Sequence, residues 1–404
     1  MVNKKVLSNS FTSKSFYIVK IFFTIFTTVC FTFASGKNNF NKTFGGDKLD
    51  RGIYITQTSD GNYIALGYTG SYKSTDEVYL IKIDKEGNEL WSKTYGGDKD
   101  NDFGWTLLET DDKGFIISGW TGSFGAGGSD VYFIRTDSKG DTLWTKAVGG
   151  TKDERVTDII KTYDGNYVAV GQTESFGAEE RDGYLIKIND NGDVIWTKTY
   201  GDVLLDRTFY VKENNKHELL IAGITKNNSN GGEDVLIIKT DENGNTVWQK
   251  NFGYELDDVG HDIILTSSNE MIVSGYYQRE EGKEYHNPYF IKLSGEGEVI
   301  WEKRLTDERD IHVIHTAETG DGNFVAAGYL RDNDKSPWDC FLMKLNKNGE
   351  QIWMKTYGEK EVNDLGYTVS KGVDGGFVIT GYTYRNENGN GDFWIFKVDN
   401  DGNL

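Results

Sequence analysis

Four of the chain's five histidines, His261, His286, His312 and His315, fall within one stretch that also holds Asp262 and, a little further on, Trp338. Neutral imidazoles and a carboxylate are the groups from which zinc sites and general acid–base sites are built. His261, Asp262, His312, His315 and Trp338 are therefore the candidate ligand-binding residues. His312 and His315 stand three apart, so on a strand they point to opposite faces and do not converge by themselves. The other use of the same residues is solvation or the capping of a core. No nucleophile motif, metal-spacing motif or phosphate loop accompanies them. A second set of groups is acidic and recurs: Asp47 and Asp50, Asp98 to Asp102, Asp153 and Glu154, Asp202 and Asp206, Glu255 to Asp258, Asp307 to Asp310, and Glu359 to Asp364. Carboxylates in number suit Ca²⁺, which takes several oxygen ligands. Repetition in every copy equally suits a backbone cap.

The elements that position these residues repeat. Gly67, Gly119, Gly171, Gly223, Gly275, Gly328 and Gly381 recur at steps of 52 or 53, and Trp91, Trp144, Trp196, Trp248, Trp301 and Trp353 keep the same step. Phe40 stands 51 before the first tryptophan. A unit of this length cannot bury both faces of its sheet alone, and copies stack to do so. Between the landmarks run four short segments rich in Val, Ile, Tyr and Phe, bounded by Gly, Asp and Asn; in the second copy they are GWTLLET (a), GFIISGWT (b), DVYFIRTD (c) and TLWTKAV (d). Tight DDKG- and DSKG-type turns link a to b and c to d. The expected fold is all-β: a seven-bladed β-propeller of four-stranded antiparallel blades spanning 37–404 as a single domain. Residues 38–46 have the strand d pattern without a, b and c, so this segment should pair with the strand ending near Asp399 and close the ring.

The b to c and d to a connections share one end of such a propeller and carry the longer, more varied loops, so that end is the expected binding face. Tyr72, Phe124, Phe176, Tyr277, Trp338 and Tyr384 are its candidate aromatic contacts, and the d to a acids should ring the channel mouth. Glu77, Asp130, Asp182, Asp234, Asn287, Asp339 and Asp392 each precede a basic residue by five positions, from Lys82 to Lys397, as a blade-to-blade or cross-strand ion pair would require. Residues 1–36 place four lysines before an apolar run from Ile21 to Phe33 and then Ala34-Ser35-Gly36, the order of a signal peptide, cleaved near Ala34 or retained as an anchor. The protein is thus expected to be exported, to the periplasm, the cell surface or the medium, and membrane-bound only through that segment if it is uncleaved. The formal charge of −19 becomes more negative when four lysines and no acid are removed, which opposes nucleic-acid binding. Cys340 would be the sole cysteine left, a small buried residue.

The unit around DSKGDTLW and DENGNTVW resembles the repeat of secreted bacterial and archaeal propellers grouped with the quinoprotein superfamily, in which an Asp and a Gly precede a Trp that docks between blades. The resemblance covers residues 38–404 and implies the fold. Pyrroloquinoline quinone is not implied, because the chain has seven units where those dehydrogenases have eight and lacks an adjacent-cysteine pair. The expected function is a monomeric, non-catalytic binding scaffold for a protein or glycan. The alternative is an extracellular enzyme, quinone-dependent or acting on polysaccharide.

Overall fold

The computed structural model describes residues 39–404 apart from 179, 228, 284, 373 and 385–389. The signal-peptide-like residues 1–36 lie outside these residues, as does most of the seventh b to c loop. All regular structure is β: seven four-stranded antiparallel sheets form a β-propeller. In the second blade the strands run Asp102–Glu109, Phe115–Thr121, Asp130–Thr136 and Thr142–Val148, within two residues of the segments read from the sequence. The seventh sheet has the order Phe40–Phe44, Gly391–Val398, Phe377–Tyr384, Asp364–Lys371, with Phe40 opposite Lys397 and Phe44 opposite Phe393. The first strand of the chain thus completes the last blade.

The glycine ladder has one physical cause. Every strand a carries a β-bulge, between Gly52 and Tyr54 in the first blade and at the matching place in the other six. The bulge bends strand a so that a backbone carbonyl, that of Arg51, Phe103, Arg155, Arg207, Val259, His312 or Leu365, presses against the facing residue of strand b. Any Cβ there would overlap that oxygen, so the facing residue is glycine in all seven blades. The extra residue that each bulge inserts is Ile53, Trp105, Thr157, Phe209, His261, Ile314 or Tyr367.

The apolar cores lie between blades. Ile64, Leu66, Val78 and Leu80 of the first blade pack with Leu107, Phe115, Ile117 and Tyr132 of the second, all buried. The tryptophans dock across the same junctions: Trp91 lies on Gly140, Trp144 on Gly192 and Trp353 on Gly402, each a glycine of the next blade's c to d turn. Phe40 lies on Gly87 in the same way, which makes the closing strand a full member of the series. Cys340 is buried and meets Gly366 of the next blade.

The basic column reaches the next blade in part, Arg135 at Asp190 and Lys239 at Glu296, but its shortest pairs are with another acid. Lys82 binds Asp60 at 2.7 Å, Arg135 Asp112 at 2.7 Å, Lys187 Asp164 at 2.8 Å and Lys292 Glu270 at 2.7 Å, each an acid of the a to b turn. The acid five positions earlier sits at the far end of strand c, about 17 Å away at ~3.4 Å per residue, out of reach of the lysine.

Candidate ligand-binding face

At the end of the propeller that bears the b to c and d to a loops, the first residues of strand a alternate between the blade interior and the channel mouth. The inward acid, Asp50, Asp102, Glu154, Asp206, Asp258 or Asp364, is buried in six blades; in the sixth, Ile311 stands at that register and the buried Asp310 one residue before it. It accepts from amides of the incoming loop, as Asp50 does from Gly46 at 2.8 Å, Asp102 from Gly97 at 2.8 Å and Asp258 from Tyr254 at 2.7 Å. In the first three blades a strand b hydroxyl, Thr69, Thr121 or Thr173, also donates to it. These strand a acids are caps and do not line the channel mouth; of the expected acidic ring, the loop acids Asp100 and Asp153 do reach it.

The mouth is lined by the next position of strand a, which reads Arg51, Phe103, Arg155, Arg207, Val259, His312, Leu365, and by its neighbours on strand b, Tyr68, Trp120, Gln172, Ile224, Tyr276, Tyr329, Tyr382. An open groove of about 610 Å³ crosses the first three blades; Tyr68, Phe103, Trp105, Trp120 and Arg155 line it, with Asp100, Asn101 and Asp153. Trp120 is its centre: Phe103 and Trp105 lie 5.3 and 5.0 Å from its ring, and the Arg155 guanidinium 5.3 Å over it. Arg155 is held by Asp153 at 3.4 Å and Arg207 by Glu233 at 3.3 Å. Arg51 pairs with no carboxylate among the described residues. It sits 4.5 Å over Tyr382 and 5.8 Å from Tyr68, donates to the Tyr384 hydroxyl at 3.2 Å, and its Nε is buried without a partner. Below the mouth a cavity of about 250 Å³ occupies the channel, walled by the bulge residues and by Tyr54, Tyr210 and Tyr329.

The residues singled out in the sequence divide between mouth and channel. His312 and Trp338 meet at the mouth, rings 5.3 Å apart, with Tyr329 5.1 Å from His312. His286 joins them, 4.6 Å from His312, and Asp310 lies between the two histidines, its Oδ1 3.1 Å from His312 Nε2 and 3.4 Å from His286 Nδ1. Asp310 and His312 share a strand face because they are two apart. Burial lowers the His312 pKa despite Asp310; burial would raise Asp310, and its bonds to the two imidazoles outweigh this and hold it well below the usual range. His261 is the bulge residue of the fifth blade, stacked on Phe209 at 5.3 Å, and burial pushes its pKa down to about 3. Asp262 is buried and accepts from the Thr316 amide at 2.8 Å, while His315 lies past the bulge, 6.0 Å from Tyr210. Of the aromatic candidates, Tyr72, Phe124 and Phe176 are exposed and cover Tyr79, Tyr132 and Tyr184 on strand c; Tyr277 is buried, with the Arg304 guanidinium 4.0 Å over its ring. Sequence reasoning missed Arg51, Phe103, Trp105, Trp120 and Arg155. The signal was present in strand a, two positions before and at the bulge, but the bulge that turns these residues toward the axis has no residue signature of its own.

No protein-family model and no curated protein sequence matches the chain. Solved structures share its fold at low identity. Puromycin hydrolase aligns with a TM-score of 0.56 and 11% identity over 87% of this chain, which spans 52% of the hydrolase. The polysaccharide lyase Uly1 aligns at 0.53 and 10%, over 89% of this chain and 92% of that one, and BBS1N, from a complex with ARL6DN, at 0.51 and 12%, over 90% and 97%. At these identities the chain is similar to them in fold: it is a seven-bladed β-propeller.

Proposed function

We propose that the protein is an exported, non-catalytic binding propeller that takes an acidic carbohydrate across its channel mouth. The observation that carries this reading is the groove centred on Trp120. Flat indole and phenyl faces accept the apolar face of a sugar ring, and the amide and carboxylates beside them accept its hydroxyls. Arg51 supplies the preference for acid groups. In a chain of net charge −19 it is a guanidinium without a carboxylate among the described residues, held flat between two tyrosines with a buried donor unused. Guanidinium–carboxylate and guanidinium–sulfate bonds are charge-assisted and planar. Export stays tied to the leader-like residues 1–36.

A second reading, a polysaccharide-active enzyme, is favoured by the imidazoles of His286 and His312 and the tyrosines Tyr276 and Tyr329 on the same mouth, groups able to move protons. Calorimetric titration with neutral and uronate-bearing or sulfated oligosaccharides separates the readings. Binding should favour the acidic set, fall about 10- to 100-fold in Arg51→Ala, the ~1.5–3 kcal/mol of a hydrogen bond to a charged group, and vanish in Trp120→Ala with the melting temperature kept. Equal affinity for neutral sugars, or none for any glycan, overturns the proposal, and release of new chain ends from the polymer establishes the enzyme instead.

A further inference from the structure

The sixth blade departs from the repeat by one residue: Ile311 stands at the register of the other acids, and the buried Asp310 precedes it in nitrogen-rich surroundings. In the first three blades a threonine hydroxyl holds the acid of strand a; at Asp310 the strand b partner is Arg331, which donates to Oδ2 from Nε at 3.0 Å and Nη2 at 2.9 Å. The other oxygen, Oδ1, accepts from the His286 amide at 2.9 Å and faces His286 Nδ1 and His312 Nε2. Where the strand c residues before other junctions are acids, Asn287 stands here, bonded through its side chain to the backbone of Asp307 and Arg309, so no second carboxylate competes for the space.

From this arrangement we infer that His286, Asp310 and His312 form a site for a divalent transition ion of the zinc class, at the junction of the fifth and sixth blades beside the channel mouth.

Three observations carry it. First, the ligand atoms all lie within 4.8 Å of one another, and two of the separations, 3.1 and 3.4 Å, match the edge of a tetrahedron, about 3.3 Å, that bonds of ~2.0–2.2 Å to zinc produce. Second, His286 Nδ1 is buried and faces only Asp310 Oδ1, at 3.4 Å and without a well-formed hydrogen bond, so an ion between the rings would engage a nitrogen that is otherwise poorly satisfied. Third, the carboxylate is already oriented: Arg331 fixes Oδ2 and the His286 amide fixes Oδ1, the outer contacts that aim a metal-binding acid. Two imidazole nitrogens select against Ca²⁺, a hard cation of oxygen sites, and for zinc, cobalt or nickel. The histidine side chains remain 16% and 13% exposed, so the ion has an entry and the fourth position falls to water. Arg331 opposes the ion's charge, but it is engaged with Asp310 and lies 4.5 Å over Trp338. The site therefore binds more weakly than a closed site of four ligands.

The site does not depend on the carbohydrate reading, and its test uses no glycan. Equilibrium dialysis of the metal-stripped full chain against Zn²⁺, with Co²⁺ as an optical probe, should give one ion per chain, the visible absorption of tetrahedral cobalt and a raised melting temperature. His286→Gln and His312→Gln should each lose the ion and the absorption, while the metal-free variants melt with the metal-free parent. Asp310 is left intact because Arg331 and the His286 amide both bond to it. Zinc uptake that survives in both variants, or no uptake at micromolar metal, overturns the site, as does Ca²⁺ that competes with Co²⁺ at equal concentration.

Discussion

Carboxylates meet at the blade junctions: Asp182 Oδ1 and Asp206 Oδ2 flank the α-carbon of Gly201, and Asp130 and Glu154 flank Gly149. Burial first, and the neighbouring carboxylate second, raise the pKa of Asp130, Asp182 and Asp364; burial takes Asp258 to about 6 although Arg304 opposes it. A raised folded-state pKa gives stability that is complete below the unfolded value, near 4, and is lost as pH rises through the folded one. The turn acids have the opposite sign. Hydrogen bonds from Thr110 and Arg135 take Asp112 down to about 2, and Lys187 with Thr162 lowers Asp164 against its burial, so their contribution is complete above about pH 4 and lost in stronger acid. Calorimetry should therefore show the highest melting temperature near pH 4–5, with decline on both sides; a steady rise to pH 7 contradicts the assignment. Asp182→Asn, which imitates Asn287 at its own junction, should flatten the limb above pH 5 and raise the melting temperature at pH 7.5. An unchanged slope would remove Asp182 as a source of it.

The blade was legible because its constraints are local. Asp-Gly turns, β-branched runs and a docking tryptophan each have residue types that little else satisfies, and strand bounds followed to within two residues. The glycine ladder was visible too, but its cause was not: the same glycine serves a tight turn or a close carbonyl, and only the fold tells them apart. An acidic ring was expected because the acid-bearing d to a loops enter the innermost strand; strand alternation instead turns the strand a acid inward and leaves Arg51, Phe103 and Arg155 at the mouth. His312 and His286 come from adjacent blades, and the repeat spacing already implied that neighbouring blades would bring them within reach of one another. The strength of the carbonyl contact is measurable. Gly223→Ala should destabilise by about 1–3 kcal/mol or more, as overpacking does, since the Arg207 carbonyl is backbone and cannot swing aside. Gly320→Ala, in open space, should be close to neutral, and similar losses at both positions in a denaturant titration would refute the explanation.

Seven copies make a ring only if the last meets the first, and here the join is a sheet rather than a contact between finished blades. Phe40 is buried against Gly87 and Tyr63, and Trp394 Nε1 donates to the Asn41 side chain at 2.5 Å. Phe40→Ala should cost about 3–5 kcal/mol, the range for truncating a buried phenyl group, and deletion of residues 37–46 should lower the melting temperature further by opening two sheet edges. An unaltered melt after the deletion would show that the strand is dispensable. Because Asn41 and Trp394 are 353 residues apart, the strand made first among those described is the last to be used. At about 5–20 residues per second, it waits roughly 20–70 seconds for its partner, so six blades can form on the growing chain while the seventh cannot. Until then the molecule is an open arc, and the interval before it shuts is when its first and last sheets expose edges that another chain could join.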